Sequence, residues 1–127
     1  MLKRTIILGA VLAHAGLPVA AQGDAAKGEK IFNRCKSCHA VGEDAKNKVG
    51  PVLNGIVGSA AGTNPDFKYS DALLEKAAEG LIWDEESLTA YLTKPGDFIP
   101  KTKMAFPGLR KESDITDLIS YLATFSS

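Results

Sequence analysis

Five consecutive residues, Cys35-Lys36-Ser37-Cys38-His39, constrain this 127-residue chain more than any other feature. Two cysteines three positions apart fall on nearly the same side of a helical turn, so both sulfurs can address one partner. The histidine that follows can aim its ring at the same place. Cys35 and Cys38 are the chain's only cysteines. A disulfide, a thiol redox pair and half of a zinc site are the plain readings of such a pair. A thioredoxin-type pair belongs beside a βαβ pattern, and no convincing period-two strand occurs in this sequence. Tetrahedral zinc needs four ligands, whereas two thiols and one imidazole are on offer with no second cluster. A bare disulfide leaves His39 unexplained. The pattern C-x-x-C-H is the attachment site of a c-type haem: Cys35 and Cys38 each form a thioether to one vinyl group of a single porphyrin, and His39 ligates the iron.

The first 21 residues differ in character from the rest. Lys3 and Arg4 give a positive start, Thr5 to Leu17 is apolar, and Val19-Ala20-Ala21 supplies the small residues of a leader-peptidase site. Residues 1–21 read as a secretory signal peptide cut before Gln22, leaving one domain over 22–127. A membrane span needs roughly 20 consecutive apolar residues, and this run breaks at Pro18. Export places the domain in a bacterial periplasm, where cysteine chemistry is oxidative. Lys3 and Arg4 leave with the leader and no acidic residue does, so 13 basic side chains face 15 acidic ones and the formal charge falls to −2. That balance excludes a strongly basic nucleic-acid binder. His14 and Met1 also leave, so His39 and Met104 are the sole histidine and methionine of the mature chain.

Along the domain, Asp24 is a plausible N-cap for a helix reaching about Cys38, with Ala25, Gly28, Ile31, Phe32 and Cys35 recurring at three and four residues. Gly42 to Phe67 is dense in breakers, including Gly50-Pro51, Gly55, Gly58, Gly62 and Pro65, and reads as a long loop. Ser70 caps a helix through about Glu79, and Asp84 caps another through Thr93, stopped by Pro95. Gly96 to Gly108 is loop again. Ser113 or Glu112 opens a last helix with Ile115, Leu118, Ile119, Leu122 and Phe125 on one face. The class is all-α. A composition of 45% hydrophobic and 24% charged residues is that of an ordinary globular protein. So much irregular chain in so small a domain leaves little apolar surface to bury, at about 25 cal/mol per Å². A large apolar cofactor would supply the missing core.

A thioether or a second imidazole is the usual partner facing a proximal histidine. No second histidine survives processing, so Met104 is the sixth ligand by elimination. It sits in the Pro- and Gly-bounded stretch from Ile99 to Gly108 and not on a helix face, where a gap-filling methionine would be expected.

The mature chain resembles the class I cytochromes c, the mitochondrial protein and its short bacterial periplasmic relatives of the cytochrome c2 type. The match rests on Gly28 and Phe32, the C-x-x-C-H site, Gly50-Pro51, Phe67-x-Tyr69-Ser70-Asp71-Ala72, Trp83, Tyr91, Pro95, Ile99-Pro100-x-Thr102-Lys103-Met104 and Leu118-Ile119-x-Tyr121-Leu122, in that order. The resemblance implies four to five helices and long loops wrapped around one covalently attached haem, with His39 and Met104 as iron ligands. It implies that Gly28 lets the first and last helices cross closely, with Phe32 against Leu118 and Tyr121. It further implies that the Pro51 carbonyl accepts from His39 Nδ1, that Tyr69 and Trp83 donate to a buried propionate, and that Tyr91 and Thr102 lie near the Met104 sulfur and the propionates. Three departures stand out. Ser59 replaces an arginine after Gly58, Leu73 replaces an asparagine, and Gly96-Asp97 thin the lysine ring, of which Arg34, Lys36, Lys48, Lys101, Lys103, Arg110 and Lys111 remain.

The function implied is one-electron transfer without enzymatic activity, by a monomer, between a quinol:cytochrome c oxidoreductase and a terminal oxidase, photosynthetic reaction centre or reductase. An apolar pocket of Phe32, Leu53, Tyr91, Leu92, Phe106 and Leu122 would disfavour the charged ferric state and raise the potential. The alternative is a haem peroxidase or gas-binding protein with a dissociable Met104. No distal histidine or arginine pair is visible to support it.

Overall fold

A computed structural model describes residues 23–126. The proposed leader, its cleavage site, His14 and Met1 lie outside the described residues. Five helices follow one another: α1 Ala25–Phe32, α2 Asp71–Ala78, α3 Glu85–Thr93, α4 Pro95–Phe98 and α5 Glu112–Leu122. Among the described residues the only β-type pairing is an isolated antiparallel bridge between Ala60 and Ile82.

Three helices begin where a short polar side chain satisfies the free N–H groups of the first turn. Asp24 accepts from Ala26 and Lys27, Ser70 from Leu73, and Asp84 from Ser87. The last helix begins at Glu112, with no side-chain bond from its N-cap Lys111. Three features differ from the sequence expectation, one of them the expected place of Phe125 on the last helix, which ends at Leu122. The first helix stops at Phe32 instead of running to Cys38, because the chain tightens there into three-residue turns. Pro95 ends α3 and also opens α4, since a proline at the first helical position gives up no needed N–H.

The core forms where α1 crosses α5. At Gly28 a Cβ would collide with the Asp117 carbonyl oxygen and sit 2.7 Å from both Asp117 C and Tyr121 Cβ, so only glycine permits this approach. The crossing buries Phe32, Ile115, Leu118 and Ile119 almost completely, and the Phe32 ring lies 5.6 Å from that of Tyr121. The chain entering α1 is clipped to α5 as well: Gly23 N–H donates to Ser120 Oγ at 2.9 Å and Asp24 N–H to Asp117 Oδ1 at 2.8 Å. Phe125 lies beyond the end of α5. It nevertheless packs edge-on against Tyr121 at 5.1 Å, and its carbonyl accepts from Gly55 N–H at 2.8 Å.

The long loop between α1 and α2 takes its order from single hydrogen bonds. Asn54 clasps Gly42 through both ends of its amide, at 2.9 and 2.7 Å. Trp83 N–H donates to the Ser59 carbonyl at 2.8 Å, Gly58 N–H to the Trp83 carbonyl at 2.7 Å, and Ala61 N–H to the Leu81 carbonyl at 2.9 Å. These bonds fold the loop back on the entry to α3 and leave a cleft between it, α1 and the stretch after α4.

Candidate functional site

The cysteines sit in the tightened turns after α1. Arg34 and Cys35 donate to the carbonyls of Ile31 and Phe32 at 3.1 and 2.8 Å. Cys38 and His39 both donate to the Cys35 carbonyl, at 3.1 and 2.9 Å. One carbonyl therefore fixes the spacing of all three motif residues. Burial pushes the Cys35 thiol up from its ordinary pKa, and the Arg34 guanidinium opposes that shift.

Cys35, Cys38 and His39 line a cleft of about 970 Å³, near the upper end of the roughly 300–1,000 Å³ usual for small-molecule sites. Pro51, Tyr69, Trp83, Tyr91, Thr102 and Met104 line it too, so every site residue expected from the sequence meets on one surface. So do Phe32, Leu53, Leu92, Phe106 and Leu122, which make its wall apolar.

His39 Nδ1 lies 2.7 Å from the Pro51 carbonyl oxygen. A carbonyl can only accept, so Nδ1 holds the proton and Nε2 keeps its lone pair. Burial lowers the His39 pKa while the bond to Pro51 works in the other direction, so the neutral form is favoured. Gly50 packs under the ring: a Cβ there would sit 2.8 Å from both ring nitrogens and closer still to Cε1. Gly50 N–H also donates to the Cys38 carbonyl at 2.8 Å, tying the loop to the attachment turn.

Met104 is held by a separate set of bonds. Its N–H donates to Thr102 Oγ at 3.3 Å, and Thr102 Oγ is 2.6 Å from the Tyr91 hydroxyl. Burial raises the Tyr91 pKa, with the Thr102 bond partly offsetting it. Further along, Leu109 N–H donates to the Leu92 carbonyl at 2.8 Å. The Arg34 guanidinium stacks over the Phe106 ring at 5.3 Å, joining the Met104 stretch to the attachment turn. Among the described residues, no group of three or more His, Cys, Asp and Glu side chains comes together as a metal site.

Tyr69 Oη accepts from Asn64 N–H at 2.9 Å, which leaves its own proton to be donated elsewhere. Trp83 is buried against Tyr91 at 5.1 Å, and among the described residues its indole N–H has no protein partner. Both residues line the cleft, so each has a donor available to an acceptor bound there. At the departures, Ser59 lines the cleft but donates to the Ile56 carbonyl at 2.9 Å, while Leu73 adds to the apolar wall. Asp97 lies outside the cleft, paired with Lys94 at 3.6 Å on an exposed face. All seven basic residues expected around the cleft are exposed, but only Arg34 and Lys103 line it. Lys68 joins them, and sequence reasoning missed it because its place depends on how the long loop closes. Asn47, Asn54 and Asn64 were also missed, since asparagine in a loop signals a turn without naming its partner.

The cleft's size, its apolar wall, the protonation of His39 and the two donors fit a covalently attached haem. An all-α chain folded around such a cleft, with C-x-x-C-H in its wall, has the architecture of a class I cytochrome c. The family model for cytochrome c matches residues 25–126. The chain is 50% identical to a cytochrome c2 of Agrobacterium tumefaciens over 101 residues, 80% of this chain and 91% of that one. It is 51% identical to a cytochrome c-550 of Ancylobacter novellus over 102 residues, 80% of this chain and 95% of that one. The solved cytochrome c2 of Rhodospirillum centenum superposes with a TM-score of 0.77 at 41% identity, covering 83% of this chain and all of that one. The chain belongs to the cytochrome c family.

Proposed function

We propose that this chain is a soluble periplasmic carrier of single electrons, in which Cys35 and Cys38 would hold one haem through thioethers and His39 and Met104 would ligate its iron. The observation that carries the proposal is one apolar cleft lined by both cysteines, a histidine protonated at Nδ1 and the Met104 side chain. When bound, the haem supplies reversible one-electron chemistry at its iron. The protein's part is to hold two ligands, keep water out and disfavour charge at the centre. Phe32, Leu53, Leu92 and Leu122 do the last of these, which points to a positive midpoint potential.

A carrier without enzymatic activity is favoured by what lines the cleft. Among the described residues its wall holds no carboxylate and no imidazole besides His39, so no paired histidine or carboxylate stands ready to activate a bound peroxide. No helix among the described residues is long and apolar enough to cross a membrane. Arg34, Lys68 and Lys103 at the cleft suit encounter with acidic surfaces on membrane redox complexes. We assign a quinol:cytochrome c oxidoreductase as donor and an oxidase, photosynthetic reaction centre or reductase as acceptor.

The test is mass spectrometry of the protein purified from the periplasm, together with potentiometry. The proposal expects haem to stay on the peptide containing Cys35 and Cys38 after acid extraction, a mature chain beginning at Gln22, and a reversible one-electron midpoint above zero. Extractable haem, no haem, or a clearly negative midpoint would contradict it.

A further inference from the structure

The peptide group joining Pro51 to Val52 is hydrogen-bonded at both ends. Its carbonyl accepts from His39 Nδ1 at 2.7 Å, and its N–H donates to Asn47 Oδ1 at 2.8 Å. Asn47 Oδ1 accepts a second bond, from Asn64 Nδ2 at 3.0 Å, and the Asn64 backbone N–H donates to the Tyr69 hydroxyl at 2.9 Å. Polar contacts thus link the His39 ring to Asn47, and Asn47 to Asn64, whose backbone in turn reaches Tyr69. Every residue in this set is at least half-buried or intermediate in exposure, where hydrogen bonds lose less to competing water.

An amide whose N–H is engaged carries more negative charge on its oxygen, and condensed-phase estimates put the strengthening at about 10–30% per bond. A histidine whose far N–H is bound more firmly is a more basic ligand with a fixed ring plane. We propose that Asn47 is a positioning residue for His39: by accepting from the Pro51–Val52 peptide, it strengthens the carbonyl that holds the imidazole. The inference rests on the assignment of His39 as an iron ligand. A more basic ligand favours the more highly charged ferric state, so Asn47 holds the midpoint potential lower than it would otherwise be. Through Asn64, the same oxygen ties the Tyr69 side of the cleft to the His39 side.

The acceptor oxygen does the work, so Asn47→Asp keeps the function and Asn47→Leu, of similar shape, abolishes it. Both variants are compared with the wild type as haem-loaded proteins, by NMR exchange of the His39 Nδ1 proton and by potentiometry. Asn47→Leu is expected to speed exchange of the Val52 amide, which loses its partner, about tenfold, to speed that of the His39 proton by a smaller factor of up to about twofold, and to raise the midpoint. Asn47→Asp should exchange no faster than the wild type. An unchanged His39 exchange rate with an unmoved midpoint in Asn47→Leu, or Asn47→Asp exchanging as fast as the leucine variant, would overturn the inference. A loss of thermal stability alone counts against it. Should the leucine variant not fold, the wild type decides: the Val52 amide must be protected alongside the His39 proton, and a freely exchanging Val52 overturns the relay. Paramagnetically shifted His39 ring protons in the ferric wild type test the ligand assignment separately. Their absence refutes that assignment, and their presence with unresponsive Asn47 variants refutes the relay alone.

Discussion

Replacing Gly28 with alanine tests the packing that holds the two ends of the domain together. Two opposing terms decide the outcome. Alanine gains about 1 kcal/mol over glycine in a helix interior. Its Cβ would collide with the Asp117 carbonyl oxygen and lie 2.7 Å from the adjoining carbon, and these are backbone atoms of α5 that cannot rotate away. Overpacking a core costs about 1–3 kcal/mol where side chains can adjust. Here the helices themselves must separate, loosening Phe32, Leu118 and Ile119, so the upper figure applies. The net is a loss of about 2 kcal/mol, or roughly 8–16 °C in Tm at about 4–8 °C per kcal/mol for a domain of this size. Denaturant and thermal unfolding of the haem-loaded protein measure it. Gly96→Ala is the control, since nothing lies within 4 Å of its Cβ position, and it should leave stability unchanged or raise it by up to about 1 kcal/mol. A Gly28→Ala midpoint at or above that of the wild type would refute the close crossing.

Further outcomes follow from the cleft and its supports. The Tyr91 pKa is raised in the folded protein, chiefly by burial, so its contribution is complete below pH 10 and lost as pH climbs through the folded value. Stability followed against pH should therefore fall less steeply above pH 10 in Tyr91→Phe than in the wild type, and equal slopes would contradict this. Below pH 10 the same variant should be about 1 kcal/mol less stable, having lost the bond to Thr102. Neutralising Arg34 and Lys103 together should slow reaction with an acidic redox partner severalfold at low salt, the difference fading as ionic strength rises. A rate independent of both charge and salt would exclude this face from docking. Asn54→Ala removes both bonds to Gly42 and should cost about 1–2 kcal/mol in urea unfolding, with an unchanged midpoint as the contrary result.

Much of the fold was legible because its signals are local. Asp24, Ser70 and Asp84 each cap a helix with their own side chain, and the sequence marks such caps plainly. The start of α5 was ambiguous between two residues for a physical reason: Lys111 offers no side-chain cap. The end of α1 was misplaced because Cys35 keeps the apolar spacing while the backbone beneath it tightens to three-residue bonds, a change that leaves no trace in periodicity. Pro95 was read as a stop, and its equal fitness to begin α4 was overlooked. At the site, the motif pointed to the cysteines and histidine, elimination to Met104 and resemblance to the aromatic residues, and all of them line the cleft. The Asn47 bridge was beyond reach, since its partners lie 5 and 17 residues away across a loop whose closure no local rule describes.

His39 and Met104 line one apolar cleft, where the proposal has both ligate a single iron. Visible spectra of the oxidised and reduced protein, with and without carbon monoxide, beside Met104→Ala, test this. The account predicts a low-spin c-type spectrum with a ferric sulfur-to-iron charge-transfer band, indifferent to carbon monoxide in the wild type, with the band lost in the variant. A high-spin or carbon monoxide-binding wild type, or a band that survives Met104→Ala, would contradict it.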